Sequence, residues 1–194
     1  MINLELIHKI TDTEKSFLLS LLGKEICSID SDSIVIKSGD RCIYRFHKWI
    51  RITTWNDLDS YKLEYSYDET YSADDFITLS ISTREEEERK NLNSSISFSG
   101  KNIFKVKKIE LYTEKWEHES IWEGEDTKIE DILLKKNMKF CEHIHNENII
   151  VLYDDKRRIL IKCQYSYLEL MIIENEDYIN KFLKENGNAP EVLI

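Results

Sequence analysis

Apolar and polar residues alternate along much of the central part of the chain, and this pattern predicts β-strands. In the segment 61–67, YKLEYSY, every second residue is aromatic or aliphatic, and the segments 42–46 and 76–81 show a related alternation. A period of two in segments rich in Ile, Tyr, Trp and Thr is typical of half-buried antiparallel strands. The predicted fold class is therefore α+β, mainly antiparallel β-sheet.

A helix is predicted near each end of the chain. Thr11 and Glu14 have the spacing of a capping box, and the apolar residues that follow recur with helical spacing up to Gly23, which can end the helix. The segment 175–187, NEDYINKFLKENG, begins with a capping residue and two acids and ends in glycine, and Pro190 cannot continue the helix. The residues after this second helix are expected to form a frayed tail.

Two parts of the chain share a pattern that predicts two related β-meander halves. GKEICSI at 23–29 resembles GKNIFKV at 100–106, and two further strand patterns recur in the same order. One small sheet cannot bury its apolar face alone, so two halves are expected to pack together. The N-terminal half, with its leading helix, spans 1–93, and the C-terminal half spans 94–194, with an insertion at about 107–148 and the terminal helix. The alternatives are chance similarity between Ile-rich strands and a single compact domain.

Composition and charge narrow the function classes. With only five glycines, the chain is poor in the residue that phosphate-binding loops require. A formal net charge of −10 disfavours nucleic acids and anionic membranes as partners and favours a basic protein. The first residues lack the pattern of a signal peptide, and no apolar run reaches the roughly 20 residues of a membrane helix. We therefore expect a cytoplasmic protein whose four cysteines are free thiols.

The predicted insertion contains a candidate partner-binding segment, EKWEHESIWEGED at 114–126. Its candidate contact residues are two tryptophans and five acids: Trp116, Glu117, Glu119, Trp122, Glu123, Glu125 and Asp126. Aromatic anchors surrounded by acids suit an interface with a basic protein. The alternative is a solvent-facing strand pair or helix whose tryptophans point into the core.

The spacing Cys141-x-His143-x-His145 is a candidate metal site. In a strand these three side chains fall on the same face, and thiolate and imidazole groups are zinc ligands. Zinc is therefore the candidate cofactor, and the alternative is a polar strand end that binds none. The chain has no G-x-S-x-G motif and no catalytic cysteine signature, so no catalytic residue is predicted.

The small size, the acidity, the richness in Ile, Lys, Asn and Glu and the lack of a catalytic signature are similar to those of many bacterial immunity proteins, which neutralise toxins. This similarity is one of composition and involves no motif. It implies a non-enzymatic inhibitor that binds a basic protein partner such as a toxin. The alternative function is a small-molecule or metal-dependent enzyme that uses a cleft between the two halves.

Overall fold

The computed structural model describes residues 2–31, 36–38, 43–46, 49–55, 60–69, 75–84, 94–122, 138–164, 167–173, 176–186 and 190–193. The strands in these ranges are β1 (Ile2–His8), β2 (Glu25–Ser31), β3 (Ile36–Ser38), β4 (Ile43–Phe46), β5 (Trp49–Thr54), β6 (Ser60–Glu69), β7 (Asp75–Arg84), β8 (Ser94–Ser97), β9 (Phe104–Lys105), β10 (Lys108–Trp122), β11 (Met138–Tyr153), β12 (Arg158–Gln164), β13 (Tyr167–Ile173) and β14 (Glu191–Leu193). The helices are α1 (Asp12–Ser20), α2 (Glu176–Asn186) and a short 3-10 helix (Gly100–Asn102). The predicted α+β class with mainly antiparallel sheet is confirmed.

The strands form two sheets, and each sheet contains strands from both predicted halves. The first sheet has the order β14-β10-β11-β12-β13-β4-β3, and β1 pairs in parallel with β11. The second sheet has the order β7-β6-β5-β2-β8, and β9 also pairs with β2. Strands β3 and β4 thus join the sheet built mainly from the C-terminal half, and β8 and β9 join the other sheet. The predicted halves therefore interleave in the folded chain.

The two segments matched by the predicted duplication share one local feature and differ in their wider pairing. Gly23 and Gly100 both have a positive φ, +79° and +58°, the conformation that glycine adopts most readily. The segments after them pair antiparallel with each other through β2 and β9. A further matched pair of segments, 49–52 and 167–170, lies in β5 and β13; β5 pairs with β2 and β6, whereas β13 pairs with β12 and β4. The duplication itself stays a prediction.

Residues from β11 and β12 are buried on both faces of the first sheet. Ile150 and Ile161 belong to the large core shared with the second sheet, whereas Ile149 and Val151 belong to a smaller cluster with Ile179 of α2. Burial on both faces explains why these strands read as continuous apolar runs rather than as alternating ones. Within the described residues, no helix is long and apolar enough to span a membrane.

Both chain termini form strands that the sequence pattern did not indicate. β14 pairs with Ile109–Leu111 of β10, and Leu193 is only 7% exposed, so the predicted frayed tail is wrong. Burial of Leu193 in the main core stabilises the pairing of β14 with β10. At the other end, β1 lies beside residues 140–146 of β11.

The predicted capping box of α1 is confirmed and carries a testable consequence for stability. Thr11 Oγ1 accepts a hydrogen bond from the Glu14 backbone N–H at 3.3 Å, and Glu14 Oε2 accepts one from the Thr11 N–H at 2.9 Å. Thr11→Ala should therefore lower the free energy of unfolding by about 1 kcal/mol. Thr11→Ser should keep most of the stability that the cap provides, because serine is also a good N-cap residue. Urea denaturation measures both variants, and equal stability of the alanine variant would contradict the proposed role of the cap.

Candidate functional site

A strongly polar sheet face lies where β1, β11 and β10 run side by side. β11 is the central strand, with β1 parallel on one side and β10 antiparallel on the other. Register aligns three rows across these strands: Asn3, Cys141 and Glu119; Glu5, His143 and Glu117; Ile7, His145 and Lys115. We call these nine residues the Cys-His face. The predicted same-face arrangement of the cysteine and the two histidines follows from the strand alternation of β11.

Each histidine of the Cys-His face lies close to a glutamate on a neighbouring strand. His143 Nδ1 is 3.2 Å from Glu117 Oε1, and His145 Nε2 is 3.6 Å from Glu5 Oε1. The carboxylates are the exposed partners, with 71% of the Glu117 side chain and 62% of the Glu5 side chain open to solvent. The histidines thus sit at the base of the face and the glutamates at its rim.

Three side chains on this face bring potential metal ligands together. The donor atoms of Glu117, Cys141 and His143 all lie within 4.8 Å of one another. Cys141 is 4% exposed, and burial together with the negative charges of Glu117, Glu119 and Glu142 raises the pKa of its thiol. The same negative charges favour a cation at this position.

The structure changes the predicted ligand set at one position. Two of the predicted ligands, Cys141 and His143, belong to the group of converging donors. His145 lies on the same face but pairs with Glu5 instead. Glu117, which the sequence indicates only as a partner-binding residue, takes its place because it lies directly opposite His143 in the β10–β11 register.

The predicted partner-binding residues divide between two faces of β10. Glu117 and Glu119 are exposed on the Cys-His face. Trp116 alternates to the other face, where it is partly buried and lies opposite Ile144, which is 1% exposed. Trp122 ends β10, and its side chain lies outside the described part of the chain, as do Glu123, Glu125 and Asp126. Trp116 and the two acids therefore cannot contact one partner through a single flat surface.

β10 places its acids along an edge of the first sheet. β14 covers only Ile109–Leu111 of this strand, and no other described strand pairs with the same edge of residues 113–122. Glu117, Glu119 and Lys115 alternate along that edge. Charged residues on an edge strand oppose nonspecific strand pairing while leaving the edge open to a complementary partner.

A second polar site brings together four basic side chains, those of Lys101, Lys105, Lys156 and Arg157. A pocket of about 440 Å³ is lined by Lys101, Asn102, Ile103, Lys105, Asp154, Asp155, Lys156 and Arg157. The Arg157 guanidinium donates to Asp154 Oδ2 at 2.8 and 3.0 Å and to the Asn102 carbonyl at 3.3 Å. Arg157 therefore holds the β11–β12 turn against the 3-10 helix, and its donors are used within the protein.

No family model, curated protein or solved structure matches this chain.

Proposed function

We propose that this protein is a cytoplasmic, bacterial, non-enzymatic binding protein of the immunity or inhibitor type. Its partner is a basic protein such as a toxin, and the Cys-His face is the contact surface. The observation that carries this proposal is the grouping of three exposed carboxylates, Glu5, Glu117 and Glu119, on one sheet face. The formal net charge of −10 adds a long-range field of the same sign.

The three carboxylates are close enough to act as one negative patch. Neighbouring strands lie about 4.8 Å apart, so β1 and β10 are separated by roughly 10 Å across β11. This separation is about one Debye length at 0.1 M salt, so a basic partner experiences the charges together. Such a patch accelerates encounter with a basic surface and disfavours acidic competitors.

The carboxylates of Glu5 and Glu117 are available to a partner because their contacts with His145 and His143 are weak. The Glu5 and Glu117 side chains are more than half exposed, and even a fully charged pair at such exposure contributes only about 0–1 kcal/mol. Releasing either carboxylate from its histidine therefore costs little. A lysine or arginine of a partner can bind these oxygens, and the pairing of β1, β11 and β10 fixes the spacing of the backbone that carries them.

A pulldown from the protein's own cells tests this proposal. We expect the protein to retain a basic partner at low salt, and we expect the retained amount to fall as the salt concentration rises. The triple variant Glu5→Gln, Glu117→Gln, Glu119→Gln should weaken the purified complex roughly tenfold or more, because it removes three charges from the contact surface without changing side-chain size.

A second triple variant provides the matched control. Asp155→Asn, Glu185→Gln and Glu191→Gln remove the same number of charges from exposed positions elsewhere, so binding should change far less. Three results would contradict the proposal: no basic protein is captured, retention is independent of salt, or both triple variants weaken the complex equally.

The metal-dependent enzyme remains the second candidate because of the converging donors of Glu117, Cys141 and His143. These donors lie on an open sheet face, with Glu117 at the rim, whereas a reaction centre gains most from a cavity that excludes water. The face therefore supports binding better than catalysis.

A further inference from the structure

The donors of Glu117, Cys141 and His143 combine the three ligand types that zinc accepts in proteins. Zinc binds a cysteine thiolate, a histidine nitrogen and a carboxylate oxygen at about 2.0–2.3 Å, usually in tetrahedral geometry. Such bonds place the donor atoms roughly 3.3–3.8 Å apart. The distance from His143 Nδ1 to Glu117 Oε1 is 3.2 Å, and no two donors of the group are separated by more than 4.8 Å. Small rotations of the side chains are enough to close the site.

The strand arrangement restricts how these ligands can move. Cys141 and His143 are two residues apart on β11, and Glu117 lies directly opposite His143 on β10. Cys141 is almost completely buried, so its sulfur forms the fixed base of the site. The Glu117 side chain is 71% exposed and can adjust to a metal ion. A buried sulfur, a partly exposed imidazole and an exposed carboxylate therefore converge from two neighbouring strands.

We propose that Glu117, Cys141 and His143 bind one zinc ion on the Cys-His face. Three protein ligands leave a fourth position of the tetrahedron for water or for another oxygen ligand. The site is a property of the isolated chain and does not require the proposed protein partner; a bound zinc ion would engage Glu117 and leave Glu5 and Glu119 as the free carboxylates of the Cys-His face.

Cobalt substitution and zinc titration test this site without any assay of activity. The metal-free, reduced protein should bind one equivalent of Co²⁺ and show thiolate-to-cobalt charge-transfer absorption together with the strong visible bands of a tetrahedral site. Zn²⁺ should displace the cobalt, and calorimetry should give one zinc per chain. Cys141→Ser should abolish the charge-transfer absorption, and His143→Gln should weaken zinc binding more than roughly 100-fold.

His145→Gln is the matched control, since it changes the same residue type on the same strand and the same face. We expect zinc affinity to change less than about threefold, because His145 pairs with Glu5 and lies outside the converging group. Glu117→Gln keeps the proposal testable if the cysteine variant fails to fold. This exposed substitution should leave the circular dichroism spectrum unchanged and weaken zinc binding at least roughly tenfold. The proposal is wrong if the wild-type protein shows no charge-transfer absorption, if Cys141→Ser retains it, or if His145→Gln weakens binding as much as His143→Gln.

Discussion

Glu114→Ala should lower the free energy of unfolding by about 3–5 kcal/mol, because it leaves a buried lysine without its counterion. Lys162 Nζ donates to Glu114 Oε1 at 2.7 Å, and only 8% of the Lys162 side chain is exposed. The other Glu114 oxygen accepts a hydrogen bond from Asn148 Nδ2 at 2.8 Å. The substitution thus removes the carboxylate that accepts hydrogen bonds from both Lys162 and Asn148, on the sheet face that α2 covers.

A double variant separates the cost of the unpaired charge from the value of the pair. Glu114→Ala combined with Lys162→Met should recover much of the lost stability, because the buried ammonium is then absent. Urea denaturation at neutral pH measures the single and double variants. Glu185→Ala is the control: its 3.9 Å pair with Lys181 is largely exposed, so the change should be below about 1 kcal/mol. Additive losses in the double variant would show that the two groups do not interact.

The parts of the fold that local sequence determines were predictable. The capping box of α1 needs only residues three positions apart, and its predicted hydrogen bonds are present. α2 begins and ends as its acids and apolar spacing indicate. The central alternating segments form strands because a period of two can bury only one face of an antiparallel sheet.

The parts of the fold that depend on distant pairing were not predictable. β1 is a short strand stabilised by a partner more than 130 residues away, Ile2 opposite Phe140, and nothing in its own pattern specifies that pairing. β14 likewise depends on β10. The interleaving of the predicted halves has the same origin, since local alternation predicts a strand but not the sheet that it joins.

In the candidate site, too, local sequence determined some features and distant strand pairing determined others. Strand alternation was enough to place Cys141, His143 and His145 on one face, because their spacing fixes their direction. Choosing Glu117 as the third ligand required the register of β10 against β11, and local sequence does not specify the register of two strands separated by a long connection. The alternating acids of the EKWEHE segment were the available signal, and they indicated a charged strand face but not its partner.

Glu110→Gln should lower stability by about 2 kcal/mol at neutral pH, and this loss should disappear in acid. Burial alone would raise the pKa of Glu110, but hydrogen bonds from Lys108, Tyr153 and Tyr112 outweigh burial and hold the pKa below its ordinary value. Tyr112 belongs to the apolar cluster that includes Ile179 of α2. Its hydrogen bond to the Glu110 carboxylate therefore fixes one side chain of the contact between the sheet and α2.

The sign of the pH effect follows from the lowered pKa. Ionised Glu110 stabilises the folded state above the ordinary glutamate pKa of about 4.3, and this contribution is lost as the pH falls through the lower folded value. Denaturation of the wild-type protein and the variant from pH 7 to pH 3 should therefore give curves that differ by a constant amount at high pH and converge in acid. Glu185→Gln, at an exposed position, should track the wild-type curve throughout. A difference that persists unchanged at the lowest pH would mean that the glutamine disturbs packing and that the charge of Glu110 contributes nothing to stability.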